Sequence, residues 1–191
     1  IRDTTRIYLR NISSPYTIVD SAKAVIDSLT FTGAFLFSNA PSGTYYLQVK
    51  SRNGLETWSK PGGEVYTAGS PFTYNFTTAS AQAYGNNMIL KAGKYCQYNG
   101  DVNQDGIIDL TDLIQIYNDG SNFTSGYVVT DVNGDRFVDL TDVTITYNNA
   151  AIFVVKNVPP GAEPSVKIST AISKNGKRSE VVKRSDSFIK R

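Results

Sequence analysis

Histidine is absent from this chain of 191 residues, and cysteine, methionine and tryptophan occur once each, as Cys96, Met88 and Trp58. These shortages exclude whole chemistries. Without His there is no Ser-His-Asp or Cys-His catalytic arrangement. Without a second Cys there is neither an intrachain disulfide nor a zinc site of the usual kind. Cys96, flanked by Tyr95 and Tyr98, reads as a small buried residue. No run approaches eighteen uninterrupted apolar residues, so no membrane-spanning helix is expected. The first thirty residues carry no basic start followed by an apolar block, so no signal peptide is expected, and an opening at Ile1 fits a mature, already processed chain.

Acids that could act in pairs are also scarce. Outside the two motifs described next, the first 155 residues hold only Asp3, Asp20, Asp27, Glu56, Glu64 and Asp119. Glycoside hydrolysis needs a carboxylate pair, and these acids are scattered, so the expectation is that the protein is not an enzyme. What is present is enough for a packed core, with 40% hydrophobic and 12% aromatic residues. The formal net charge of +2 hides an asymmetry. Residues 1–155 hold 10 Lys+Arg against 14 Asp+Glu, whereas residues 156–191 hold 9 against 3. Eight of the 14 acids lie in two short stretches, so the acidity is local.

Those stretches are "DVNQDGIIDLTD", residues 101–112, and "DVNGDRFVDLTD", residues 131–142, which agree at most of their positions. Oxygen-bearing side chains recur at positions 1, 3, 5, 9 and 12: Asp101, Asn103, Asp105, Asp109 and Asp112, then Asp131, Asn133, Asp135, Asp139 and Asp142. A hard cation such as calcium takes six to eight oxygens, and this spacing wraps a short loop around one ion. Position 7 would add a backbone carbonyl, from Ile107 and Phe137. Two calcium ions are therefore expected. Position 6 must turn sharply, which suits Gly106 and strains Arg136, so the second site is expected to be weaker. Ile108 and Val138 at position 8 are expected in the core. After each loop, Leu110, Leu113, Ile116 and Tyr117, then Leu140, Val143 and Tyr147, recur at helical spacing, each set opening on an Asp that favours a helix start.

A loop followed by a helix, duplicated, with Asp in place of Glu at position 12 and no helix ahead of either loop, resembles the type I dockerin repeat, over about residues 99–155. The resemblance implies a small calcium-binding domain. It also implies a partner surface around positions 10 and 11, here Leu110 and Thr111, then Leu140 and Thr141, that meets a cohesin-like domain. Repeats of this kind also serve as structural joints in secreted bacterial proteins, and a leucine at position 10 also reads as core. The joint is the preferred reading.

Upstream the period changes to two. "GAFLFSNAPSGTYYLQVKSRN", residues 33–53, alternates around Phe35 and Phe37, turns at Pro-Ser-Gly, then alternates Tyr45, Leu47 and Val49. "TRIYLRNI", "PYTIVDSAKAVI" and "SPFTYNFTT" read as further strands. The expected fold is mainly β, an antiparallel β-sandwich followed by a small α-helical loop-helix domain. The boundaries are 1–98 for the sandwich, 99–158 for the calcium loops and 159–191 for a basic tail. "FLFSNAPSGTYYLQVK" is similar to the prealbumin-like modules of carboxypeptidase-regulatory and collagen-adhesin B-type domains, which implies a stalk or spacer. Relatives of that kind carry a Lys-to-Asn isopeptide bond, for which Lys23, Lys50, Glu56 and Asn75 are the candidates.

Trp58, with Arg52 and Glu56 nearby and Tyr45, Tyr46, Tyr66 and Tyr74 to hand, reads as core first and as a sugar platform second. Asn11, Asn75 and Asn122 head N-x-S/T triplets. The tail has almost no aromatic interleaving, so nucleic acid is not expected as a partner. Its stretch 165–172 alternates Val166, Ile168, Thr170 and Ile172 against Lys167, Ser169 and Ala171, the pattern of a strand that could be donated to a neighbouring sheet edge. The expected protein is thus secreted or on the cell surface, structural and calcium-stabilised. Its expected partners are other copies of itself, in a filament or surface array, or another surface protein. A docking module for a cohesin-like partner is the alternative, and a carbohydrate-binding module the third reading.

Overall fold

The computed structural model describes residues 3–162. The candidate donor strand 165–172 lies outside the described residues. The described chain is mainly antiparallel β-sheet followed by two short helices. Its elements are β1 (Asp3–Asn11), β2 (Ile18–Ile26), β3 (Gly43–Lys50), β4 (Thr57–Trp58), β5 (Glu64–Tyr66), β6 (Ile89–Lys91), β7 (Lys94–Cys96), α1 (Leu110–Ser121) and α2 (Leu140–Ala150). Five strands form one sheet in the order β2-β1-β3-β4, with β5 also paired to β3, while β6 and β7 make a two-stranded hairpin.

Side chains along a strand alternate between the two faces, and the register exploits this. Leu9 pairs with Leu47 across β1 and β3, and Ala22 of β2 faces the same side. With Tyr45, Phe37, Ala40 and Tyr66 they form the main core. The opposite face carries Tyr46 and Trp58, closed by Tyr16 in an edge-on contact with the indole. Trp58 is only 1% exposed and donates its indole N–H to Glu56 Oε1 at 2.6 Å. Its faces are spent on packing, so the sugar-platform reading of Trp58 fails.

Two expected strands are not strands. Residues 33–37 form no ladder, although Phe37 is buried in the main core. The hairpin expected between that stretch and β3 is absent because β3 is paired with β1 on one side and with β4 and β5 on the other. "SPFTYNFTT" instead runs irregularly into a short 3-10 turn, Phe76–Thr78, which the Asn75 side chain caps by accepting from the Thr77 amide. Two of the candidate isopeptide residues, Lys50 and Glu56, pair with each other at 2.9 Å, while the Asn75 side-chain oxygen is spent on that cap. Cys96 is half-buried.

A second core lies between the helices, from Val102, Ile116, Val132 and Val138. A third, of Leu55, Ile108 and Val154, seals the loop-helix part against the segment joining β3 to β4. Ile108 and Val138 are buried as their position 8 predicts. Each loop is braced by the chain beyond the other repeat's helix: Ile108 N–H donates to Val154 O at 2.9 Å, and Val138 N–H to Thr124 O at 3.0 Å. The duplication in sequence is therefore a near-twofold arrangement in space.

Candidate metal centre

Residues 101–112 and 131–142 fold alike, and local hydrogen bonding explains why. In each loop the side chain at position 3 accepts from the amide at position 5, and position 5 accepts from position 7. The distances are 2.9 Å for both bonds in the first loop, and 2.7 and 2.8 Å in the second. Such short polar side chains favour turns by bonding their own backbone. Asp109 and Asp139 at position 9 are helix N-caps, each accepting from the amide two residues on at 2.7 Å. Asp112 and Asp142 complete the capping box and reach back, each accepting from two amides near the loop start and from the N-cap amide.

Position 6 adopts the left-handed conformation in both loops, with φ of 89° at Gly106 and 77° at Arg136. The strain expected at Arg136 is present. Gly106 is further constrained, because a Cβ there would meet Lys156 Cδ at 2.4 Å.

Burial divides the predicted ligands in two. Asp101, Asp112, Asp131 and Asp142 are fully buried, whereas Asn103, Asp105, Asn133 and Asp135 sit on the rim with Ile107 and Phe137. Asp101 Oδ1 is enclosed with no hydrogen-bond partner, while Oδ2 accepts from the Gly106 amide at 3.2 Å. Burial, then the Asp112 and Asp105 carboxylates, push the Asp101 carboxyl up to about 7. Burial raises Asp112 as well, against the pull of its backbone amide donors. Among the described residues, no group of three or more His, Cys, Asp or Glu side chains is gathered as a ready metal cluster. The donor set is all oxygen, and part of it is Asn and backbone carbonyl. An orphaned carboxylate oxygen crowded by two like charges is the setting that a hard divalent cation relieves. The residues present therefore fit calcium, with Asp101, Asn103, Asp105, Ile107, Asp109 and Asp112 available in one loop, and Asp131, Asn133, Asp135, Phe137, Asp139 and Asp142 in the other.

No protein-family model matches the chain, and no curated protein matches it. Two solved structures do, both chains from type II cohesin-X-dockerin complexes of Acetivibrio cellulolyticus. An N-terminal interface mutant shares 19% identity over 78% of this chain and 82% of its own, with a TM-score of 0.42. A C-terminal interface mutant shares 20% identity over 78% and 81%, with a TM-score of 0.41.

Sequence patterning missed the residues that seat the two loops on the sheet. The stretch 51–56, read beside Trp58 as a possible ligand surface, is instead a wedge between them. Asn53 Nδ2 donates to the carbonyls of Val129 and Asp131 at 3.0 and 2.8 Å, and Gln104 Nε2 donates to Gly54 and Asp101 carbonyls at 3.2 and 2.7 Å. Leu55 and Gly100 amides bond across the same seam, to Tyr98 and Asn53 carbonyls at 2.8 Å. Glu56 is held by Lys50, by the Trp58 indole and by Lys156 at 3.9 Å, and these partners bring its carboxyl below the usual range although burial alone would raise it. No periodicity signals such contacts, because they depend on loops meeting across some fifty to eighty residues of chain.

The apolar stripes also differ from expectation. The inward positions are Asp112, Leu113 and Ile116 on α1, and Asp142, Val143, Thr146 and Asn149 on α2. Leu110, Tyr117, Leu140 and Tyr147 face outward. Spacing alone left Leu110 and Leu140 open between a partner surface and the core, and their exposure places them outside the core. The buried Asp at position 12 turns the helix so that position 10 points away from it.

Proposed function

We propose that this chain is an extracellular, calcium-stabilised protein-docking module, in which the β-sheet part is a rigid companion to a loop-helix pair that meets a partner domain. The observation that carries this reading is the exposure of Leu110 and Leu140, at 64% and 75%. A leucine at position 10 serving the core would be covered. Here each leads an outward stripe that repeats in the second helix: Leu110, Ile114 and Tyr117 on α1, then Leu140, Thr144 and Tyr147 on α2. Exposed, repeat-related apolar stripes of this size mark interaction surfaces, and Tyr117 and Tyr147 are of the residue type enriched at the energetic centre of one. The dockerin resemblance of the loops supplies the partner class, a cohesin-like β-sandwich. A joint alone leaves these stripes without a role, so docking replaces it as the preferred reading. The wedge at 51–56 supports the joint as one part of the same device.

Calcium organises the surface, because the helices begin at the loops' own ligands, Asp109 with Asp112 and Asp139 with Asp142. The test is binding of the purified full chain to a panel of immobilised cohesin-like domains, in millimolar calcium and in chelator. Calcium-dependent binding that is lost in a Leu110→Asp, Leu140→Asp double variant, with the fold intact by circular dichroism, is expected. Retention of partner binding by that variant would sink the assignment of the surface.

A further inference from the structure

The two loops are near copies, yet their first aspartates are compensated differently. Asp101 Oδ1 has no hydrogen-bond partner. Asp131 has both oxygens engaged, Oδ1 by the Gly134 amide at 2.8 Å and Oδ2 by the Arg136 amide at 3.2 Å, with the Arg52 guanidinium 3.8 Å from Oδ2. Arg52 comes from the wedge between β3 and β4, and its side chain is 8% exposed. One terminal nitrogen donates to Asp131 O at 3.0 Å, and the other donates to Val128 O. Its Nε lies 3.4 Å from Asp3 Oδ2, and its plane sits 4.3 Å from the centre of the Tyr127 ring, whose hydroxyl also bonds Asp3. Among the described residues, no arginine pairs with an aspartate of the first loop.

We propose that Arg52 is the resident counter-charge of the second loop, a positioning residue that holds the Asp131 turn in its binding shape and makes the second site the weaker of the two. The proposal rests on the calcium reading above. A buried guanidinium repels a divalent ion that shares its carboxylate, and low local dielectric strengthens that repulsion. The same group's two donors on the Val128 and Asp131 carbonyls keep the loop entrance folded whether or not an ion is bound. Charge and fork are separable by substitution. Arg52→Met removes both and keeps the apolar stem, whereas Arg52→Lys keeps the charge and loses the fork and the ring stacking.

The experiment uses the full chain carrying Asp105→Ala, which silences the first loop, so that calorimetric titration with calcium chloride reads the second loop. Thermal unfolding in chelator gives a second readout. Arg52→Met is expected to tighten the second site about tenfold while lowering Tm in chelator. Arg52→Lys is expected to lower Tm in chelator without tightening the second site. Asp3→Asn covers the case of an unfolded Arg52→Met: it strips away the arginine's other carboxylate, leaves more of its charge on Asp131, and is expected to weaken the second site. Unchanged or weaker binding by a folded Arg52→Met, or unchanged binding by Asp3→Asn, overturns the proposal. A parent chain that binds no calcium at either loop removes the calcium reading itself, and this proposal with it. Binding at both loops with the second indifferent to Arg52 and Asp3 overturns this proposal alone.

Discussion

Asp101→Asn separates the cost of a buried carboxylate from its use. The Asp101 carboxyl is pushed up to about 7 from an ordinary value of 3.8, by burial first and then by Asp112 and Asp105. An acid whose pKa is higher in the fold than in the unfolded chain keeps its proton longer in the fold. Stability is thus unpenalised below about pH 4 and falls as pH rises through the window up to about 7. At about 1.36 kcal/mol per pH unit, the penalty at neutral pH is on the order of 4 kcal/mol. Asparagine has the same shape, carries no charge and keeps an oxygen for the Gly106 amide. In chelator at neutral pH the Asp101→Asn chain is therefore expected to melt higher than the parent, by roughly 8–16 °C for a chain of this length. Near pH 4 the difference should close.

Calcium should narrow that difference. Ion binding to the native state adds about 2.7 kcal/mol per site at a hundredfold excess over Kd, and the asparagine chain forfeits much of that at its first loop. Scanning calorimetry of both chains, in chelator and in calcium, at several pH values across this window, reads both effects. A variant that melts lower than the parent in chelator at neutral pH would refute the reasoning. So would a difference between the two chains that does not change with pH.

Chelation of the parent chain should lower its Tm, and calorimetry at millimolar calcium should detect binding; no binding there would end the two-site reading. Arg136→Gly should tighten the second loop, because it relieves about 1 kcal/mol of left-handed strain and removes a nearby cation, measured by the same titration. Glu56→Ala should cost about 1–3 kcal/mol, chiefly by leaving the buried Trp58 indole N–H without its acceptor, read by chemical unfolding at neutral pH. Since the carboxyl of Glu56 is held below its ordinary 4.5, its contribution is present above that value and lost as pH falls through its folded pKa. The Glu56→Ala deficit should therefore shrink in acid.

What was legible in the sequence was local. The loop turns are written by Asp, Asn and Gly bonding to amides two to five residues away, and such contacts survive in any fold that contains them. β1 and β2 were legible because each buries one face more than the other, and β3 because its β-branched and aromatic residues suit a strand buried on both faces. Residues 33–37 were misread because alternation reports burial and not pairing: Phe37 reaches the core from a segment whose neighbours on β3 are already taken. The helix faces were only partly legible, for a different reason. Spacing grouped Leu110, Leu113, Ile116 and Tyr117 as one helix and left Leu110 open between core and partner surface, because the side chains that turn inward include Asp112 and Asp142, whose carboxylates find backbone amides there. A charge is not scored as core by any hydrophobic pattern.

The wedge was the least legible feature, and it changes what the parts can do separately. Arg52, Asn53, Gly54 and Leu55 each bond to or pack on the loop-helix part: Arg52 and Asn53 both donate to the carbonyl of Asp131, the Gly54 carbonyl accepts from Gln104, and Leu55 packs on Ile108 and Val154. If the parts come apart water replaces these donors, so each hydrogen bond across the seam holds them together by about 0.5–1.5 kcal/mol net. Loading of the loops and seating of the sheet are therefore linked: an ion that fixes Asp131 also fixes the carbonyl that Arg52 and Asn53 hold. By reciprocity, whatever orders the wedge changes the affinity of the loops by the same factor. A partner that grips the outward stripes of α1 and α2 would then be carried on a helix pair already tied, through its N-caps and loops, to the five-stranded sheet.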